Sequence, residues 1–227
     1  MFRQVSPDLY FLVSSSFDSN ITYIDGGEKQ VLIDTGTGIY SENLNRDLEK
    51  VGSSIKSITD VVLTHSHIDH IGGVLPILKT CNPKLHLHKS EGNMINSGDM
   101  RLTLTNTFGV ELPAMKIEGL LEEGNVLSFG DINLKIYNTP GHSVGSICLH
   151  IEDRGILITG DTMFPGGSFG RVDFPTGSPA QLVESLRRIT EWEFEIALPG
   201  HMNAILGNGK RYAHMSYEMA RSMFMHY

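Results

Sequence analysis

The chain has 227 residues, 40% of them hydrophobic, and a formal charge of −8. That length and apolar content suit one large folded domain with a substantial core and exclude a solvated tail. An acidic balance without a basic run gives little electrostatic support for binding a nucleic-acid backbone.

The elements follow in chain order. Residues 8–13, 20–25 and 30–33 are short β-rich runs separated by Ser, Gly and Asp turn signals. Residues 41–51 are polar, with Leu44, Leu48 and Val51 at helical spacing. A compact apolar strand at 60–64 ends against His65, a helix is predicted over 72–81, and a further strand over 84–88. Residues 89–125 show no single period and read as a helix and loop covering a site. Strands return at 126–129, 132–138, 146–151 and 156–159, with Gly130–Asp131 and Arg154–Gly155 as turns. Ser178 as N-cap and Pro179 at the first helical position open a helix over 178–190, with Leu182, Leu186 and Ile189 on one face. A short strand at 195–198 and a terminal helix over 212–226 complete the chain. Two βα-type halves in this order suggest two sheets sandwiched between helices. No low-complexity linker divides them, so a single domain over 1–227 is expected, with a short helical segment at about 208–227.

Cys81 and Cys148 lie far apart and form no CxxC pair. This argues against a disulfide framework and fits a reducing compartment. No stretch reaches the roughly 20 apolar residues needed to span a bilayer, and residues 1–13 lack a long apolar signal core. A cytoplasmic protein without membrane or nucleic-acid partners is the expectation, and a homodimer is compatible with it.

The decisive segment is 64–73, THSHIDHIGG, with three histidines and one aspartate within six residues. Imidazole and carboxylate donors suit zinc, and also iron or manganese. In an extended segment His65 and His67 point to one side, and Asp69 and His70 follow in the next turn. Four donors this close crowd a single tetrahedral ion, so two adjacent metal positions are the better reading. Three later segments carry the same look: TPGHS with His142, TGDT with Asp161, and PGH with His201. Each follows a strand, where scaffolds commonly present functional groups. Glycines beside these residues (Gly36, Gly72, Gly73, Gly141, Gly160, Gly200) suggest tight backbone approach.

Together, Asp34 in DTG, THSHIDHIGG, His142, Asp161 and His201 resemble the five signature motifs of the metallo-β-lactamase superfamily, over residues 9 to 201. The resemblance implies an α/β, αββα sandwich of two mixed sheets flanked by helices, with two divalent ions, zinc first. Carried over by position, His65, His67 and His142 resemble one ion's ligands. Asp69, His70 and His201 resemble the other's, and Asp161 the bridge. Asp34 resembles an aspartate that supports the loop without binding metal. Two such ions can lower the pKa of a shared water, and the bridging hydroxide attacks a carbonyl. Asp69 would orient it or shuttle its proton, with His65, His67, His142 and Asp161 completing the catalytic set.

Fold alone does not fix the reaction. The run GDTMFPGGSFGRVDFPTG at 160–177 resembles the glyoxalase II-like branch, which implies a small thioester or ester substrate. Arg171 and Asp173 are fixed points of that pattern and form either a salt link holding the loop or, through Arg171, a substrate contact. Only 26 residues follow His201, fewer than the larger C-terminal region with which glyoxalase II binds glutathione. Lys210 and Arg211 remain as candidates for a substrate carboxylate. The alternative is a persulfide dioxygenase with one iron held by His65, His142 and Asp161, followed by lactonase or β-lactamase chemistry. A metal-stabilised binding module without catalysis ranks last. Among the remaining histidines, His86 and His88 share a strand face, His150 reads as strand surface, and His214 and His226 fall in the terminal helix. Cys148 reads as a packed thiol.

Overall fold

The computed structural model describes residues 1–14, 17–105 and 112–225. His226 and part of the irregular 89–125 region lie outside them. The described residues contain two mixed β-sheets with helices against them, and the chain divides into two compact units.

The first unit comprises residues 1–121 and 128–132. Its seven-stranded sheet runs in chain order: β1 (Arg3–Ser6), β2 (Leu9–Leu12), β3 (Ile21–Gly26), β4 (Lys29–Ile33), β5 (Asp60–Val62), β6 (Lys84–His88) and β7 (Gly119–Leu121). β1 to β4 pair antiparallel, and β4 to β7 pair parallel. The helices are α1 (Ser41–Glu49), α2 (Ile68–Ile71), α3 (Val74–Leu78) and α4 (Lys89–Asn96). Leu44 and Leu48 of α1, Ile71 of α2, Val74 and Ile77 of α3 and Ile95 of α4 share one buried cluster with Tyr23, Leu32, Val61 and Leu85. Each fully buried aliphatic side chain of this kind contributes roughly 1.5–3 kcal/mol.

The second unit comprises residues 122–127 and 133–225 of the described chain. The five-stranded sheet has the order β12 (Ile196–Pro199), β11 (Ile156–Gly160), β10 (Ile147–Ile151), β9 (Ile132–Asn138), β8 (Val126–Phe129). β9, β10 and β11 pair antiparallel, and β11 pairs parallel with β12. The parallel pair needs a crossover, supplied by α5 (Pro179–Ile189). Its start is as expected: the Ser178 hydroxyl accepts from the Gln181 amide at 3.4 Å and Pro179 occupies the first turn. Leu182, Leu186 and Ile189 of α5, with Ala213 and Ala220 of α6 (Gly209–Phe224), are buried with Cys148, Leu157 and Ala197.

Three elements differ from the sequence reading. β1 was not anticipated, because its side chains are exposed or half-buried and do not alternate. β7, only three residues long, emerges from the irregular region. The segment after His67 is the helical turn α2 and not a loop turn. Among the described residues, no helix is long and apolar enough to cross a membrane.

Candidate metal centre

Within the first unit, the chain leaves β5 at Val62, bends at Thr64 and reaches His67, whose φ of −62° and ψ of 148° precede α2. His65 and His67, two residues apart, bring their rings together on one side of this segment. His65 Nε2 and His67 Nδ1 are 3.0 Å apart, and the rings meet edge to face with centroids at 4.5 Å. α2 then brings His70 against His65, centroid to centroid at 4.0 Å, with His70 Nε2 3.6 Å from Asp69 Oδ2. The three imidazoles are buried and Asp69 is half-buried.

Asp34 explains how this loop is held. It follows β4 in a left-handed conformation (φ 59°), which aspartate tolerates. Its carboxylate accepts from the Thr64 amide, the Thr64 hydroxyl and His70 Nδ1, each at 2.8 Å. A carboxylate only accepts here, so Nδ1 of His70 carries the proton and Nε2 keeps its lone pair. Asp34 therefore supports the loop, as its place in the motif implied. Thr35 adds a hydroxyl bond to the His70 carbonyl at 2.7 Å. The glycine pair is required for this approach, since a Cβ on Gly73 would lie 2.1 Å from the Thr35 carbonyl oxygen. The Ser19 amide donates to the Asp69 carbonyl at 3.0 Å.

Within the second unit, His142 lies between β9 and β10, Asp161 follows β11, and His201 follows β12. The parallel register pairs Gly160 with Pro199, so Asp161 and His201 leave the same sheet edge. Nε2 of His142 and Nε2 of His201 face a single oxygen, Asp161 Oδ2, at 3.6 and 3.5 Å. His142 Nδ1 lies 2.6 Å from the Arg171 carbonyl oxygen. A carbonyl only accepts, so Nδ1–H donates and Nε2 presents a lone pair toward the carboxylate. Two acceptors facing each other repel unless a cation or proton lies between them. The donor set thus fits a divalent ion, and the Arg171 carbonyl is the outer partner that fixes the ring.

This gives the 170–174 run a physical role that side-chain identity did not reveal. A Cβ on Gly170 would sit 2.0 Å from the Asp161 carbonyl oxygen and 2.9 Å from His142 Nδ1. Glycine lets the backbone come close enough for the Arg171 carbonyl to reach the ring. The Arg171 side chain points elsewhere, pairing with Asp173 at 2.9 and 2.6 Å and lying over the Phe174 ring at 4.6 Å. The salt link is thus present. Lys210 pairs with Glu193, and Arg211 is exposed in the first turn of α6.

His86, His88 and His150 are buried in the core. His86 Nε2 donates to Asp60 Oδ1 at 2.9 Å, and Lys29 pairs with the other Asp60 oxygen at 3.1 Å. Burial pushes the His86 pKa down, and the Asp60 contact only partly opposes it. Burial acts to raise Asp60, but hydrogen bonds from His86, Thr59 and Lys29 outweigh it and leave its pKa below the ordinary value. His150 is not strand surface: it is 4% exposed, packed near Tyr137, Trp192 and Phe194, and donates to the Glu193 carbonyl at 3.1 Å. β10 is buried on both faces, so alternation misplaces it. His214 is exposed. Cys148 is fully buried, which pushes its pKa up to about 11, as suits a packed thiol.

Comparison with known proteins places these motifs in context. The family model of the metallo-β-lactamase superfamily matches residues 16–201. A probable metallo-hydrolase of Methanocaldococcus jannaschii, MJ0888, is 36% identical over 188 residues, covering 81% of this chain and 87% of that protein. The human acyl-coenzyme A thioesterase MBLAC2 is 31% identical over 212 residues, covering 82% of this chain and 73% of that protein. The crystal structure of TTHA1623 in a di-iron-bound form superposes with a TM-score of 0.71 at 27% identity, over 88% of this chain and 96% of that one.

Proposed function

The chain belongs to the metallo-β-lactamase superfamily, and from that premise we propose that it is a metal-dependent thioester or ester hydrolase of glyoxalase II-like type. The observation that carries this reading is the pair of imidazole nitrogens facing one Asp161 oxygen at 3.6 and 3.5 Å. A carboxylate oxygen so placed suits a bridge between two cations. The assignment gives His65, His67 and His142 to one ion, Asp69, His70 and His201 to the other, and Asp161 to both. The family match runs through both donor sets. Zinc is the first candidate, and iron or manganese suits the same donors.

Two bound divalent ions would supply a water acidic enough to attack at neutral pH and would polarise the substrate carbonyl. Asp69, anchored through its carbonyl by the Ser19 amide, would accept the proton of the attacking water. His70 and His142 keep Nε2 available because Asp34 and the Arg171 carbonyl hold Nδ1–H. A thiolate departs without a strong general acid, so thioesters suit this set better than esters of poor leaving groups. The similarity to an acyl-coenzyme A thioesterase supports that substrate class. A small-molecule thioester, a cytoplasmic location and a possible homodimer complete the reading.

Elemental analysis should find about two metals per chain, and an acyl-coenzyme A or hydroxyacylglutathione should be hydrolysed without oxygen uptake. His65→Ala or Asp161→Ala should abolish turnover while leaving much of the fold. The competing reading is a persulfide dioxygenase with one iron held by His65, His142 and Asp161; the similarity to a di-iron-bound structure supports iron as a metal for this fold, not that stoichiometry. Oxygen consumption with glutathione persulfide and no thioesterase activity would establish it and overturn the hydrolase.

A further inference from the structure

Between the two paired histidines of the loop after β5 lies Ser66. Ser66 is fully buried, and its amide donates to Glu91 Oε2 at 2.8 Å. Glu91 is itself 0% exposed, a rare condition for a glutamate that calls for hydrogen-bonding partners. It occupies the third position of α4, where an acidic side chain meets the positive end of the helix. β6 delivers α4 to this place directly: β6 ends at His88 and α4 begins at Lys89. β6 is also the parallel neighbour of β5, with Val62 opposite His86. The sheet therefore sets α4, and α4 sets Glu91, behind the segment carrying His65 and His67.

We infer that Glu91 is a positioning residue for the metal ligands: its carboxylate pins the Ser66 amide and holds His65 and His67 ready before any ion arrives. The inference rests on the proposed metal role of those histidines. A tripeptide has two soft dihedrals per residue. The Ser66 bond fixes the backbone midway between the two histidines. Asp34 holds the amide of Thr64 and the ring of His70, and Glu91 holds the amide between His65 and His67. The two carboxylates thus restrain the loop at successive points without being assigned as ligands themselves.

The test uses two near-isosteric substitutions in the full-length protein. Glu91→Gln keeps an acceptor for the Ser66 amide, and Glu91→Met fills the space without one. Zn2+ affinity is measured by chelator competition, beside circular dichroism and Ser66 amide hydrogen exchange in the metal-free state. Glu91→Met should weaken Zn2+ binding on the order of 10- to 100-fold, the usual effect of losing an outer partner, and should speed Ser66 exchange. Glu91→Gln should lose less than about tenfold, since its amide oxygen still accepts from the Ser66 amide, though more weakly than the carboxylate. Wild-type affinity in Glu91→Met, or equal losses in both variants, would overturn the inference. If Glu91→Met does not fold, fast Ser66 exchange in the wild type or a tenfold loss in Glu91→Gln overturns it equally well. A wild-type chain that holds no Zn2+ would instead count against the metal assignment, leaving the exchange rates to judge Glu91.

Discussion

Replacing Asp34 with asparagine isolates one proton. The substitution keeps size and shape, and asparagine also tolerates the φ of 59° found there. The amide oxygen can still accept from the Thr64 amide, which lies 2.8 Å from Oδ1. The amide nitrogen must then replace Oδ2, where the Thr64 hydroxyl and His70 Nδ1–H both donate at 2.8 Å. The hydroxyl can rotate and accept, but the ring cannot. His70 must surrender its Nδ1 proton and carry it on Nε2, the nitrogen that faces Asp69 at 3.6 Å. A charge-assisted hydrogen bond to a carboxylate is worth roughly 1.5–3 kcal/mol. At 1.4 kcal/mol per tenfold, loss of that preference weakens the ion proposed for His70 by about 10- to 150-fold. Sequential metal titration of Asp34→Asn should show one ion held as in wild type and a second released at far lower chelator concentration. Thioester turnover should fall with occupancy of that second ion. Two ions of wild-type affinity in a correctly folded variant would refute the tautomer argument.

Gly170→Ala should cost at least the 1–3 kcal/mol of an overpacked core, because the new methyl meets the Asp161 carbonyl at 2.0 Å. Gly207→Ala, with no atom within 4 Å, should leave Tm and metal content unchanged, and similar losses in the two would contradict the close-approach account. Arg171→Ala should retain wild-type metal affinity, since the exposed side chain pairs with Asp173 and the backbone carbonyl serves His142; a raised KM with unchanged metal content would instead assign the guanidinium to substrate. Burial lowers the pKa of His150, with the Glu193 carbonyl contact opposing it. The unfolded chain therefore binds the proton more tightly, and stability from this site is complete above pH 6.5 and falls as pH drops below it. His150→Phe should flatten the metal-free protein's Tm profile between about pH 7.5 and 5.5, and an unchanged slope would rule His150 out as the source.

The sequence was most readable where chemistry and geometry share a short span. THSHIDHIGG announces its donors because a two-residue spacing places His65 and His67 together and one helical turn adds His70. The Ser178–Pro179 start of α5 and the Leu182, Leu186 and Ile189 face were equally legible, since capping and periodicity are local. Less was visible where backbone does the work. Arginine at 171 drew notice for its charge, yet the atom that meets His142 is its carbonyl oxygen, and the local hint was the glycine before it. Glu91 gave no signal, because an acidic residue in a helix's first turn is ordinarily solvated. His150 was misplaced because a strand buried on both faces lacks alternation. β1 escaped because the polar run RQVS is specified by pairing with β2, a partner that no property of those four residues names.

The parallel pairing of β11 with β12 has a consequence for how the molecule is made. Asp161 and His201 become neighbours only after α5 has crossed back and β12 has docked beside β11. Such distant pairings raise contact order and tend to close late. The Asp161 set is therefore expected to form late in folding. Divalent ions should then slow unfolding far more than they speed refolding, because they grip a structure that the transition state has not completed. In a cell, metal supply would govern how long the finished chain lasts more than how readily it folds.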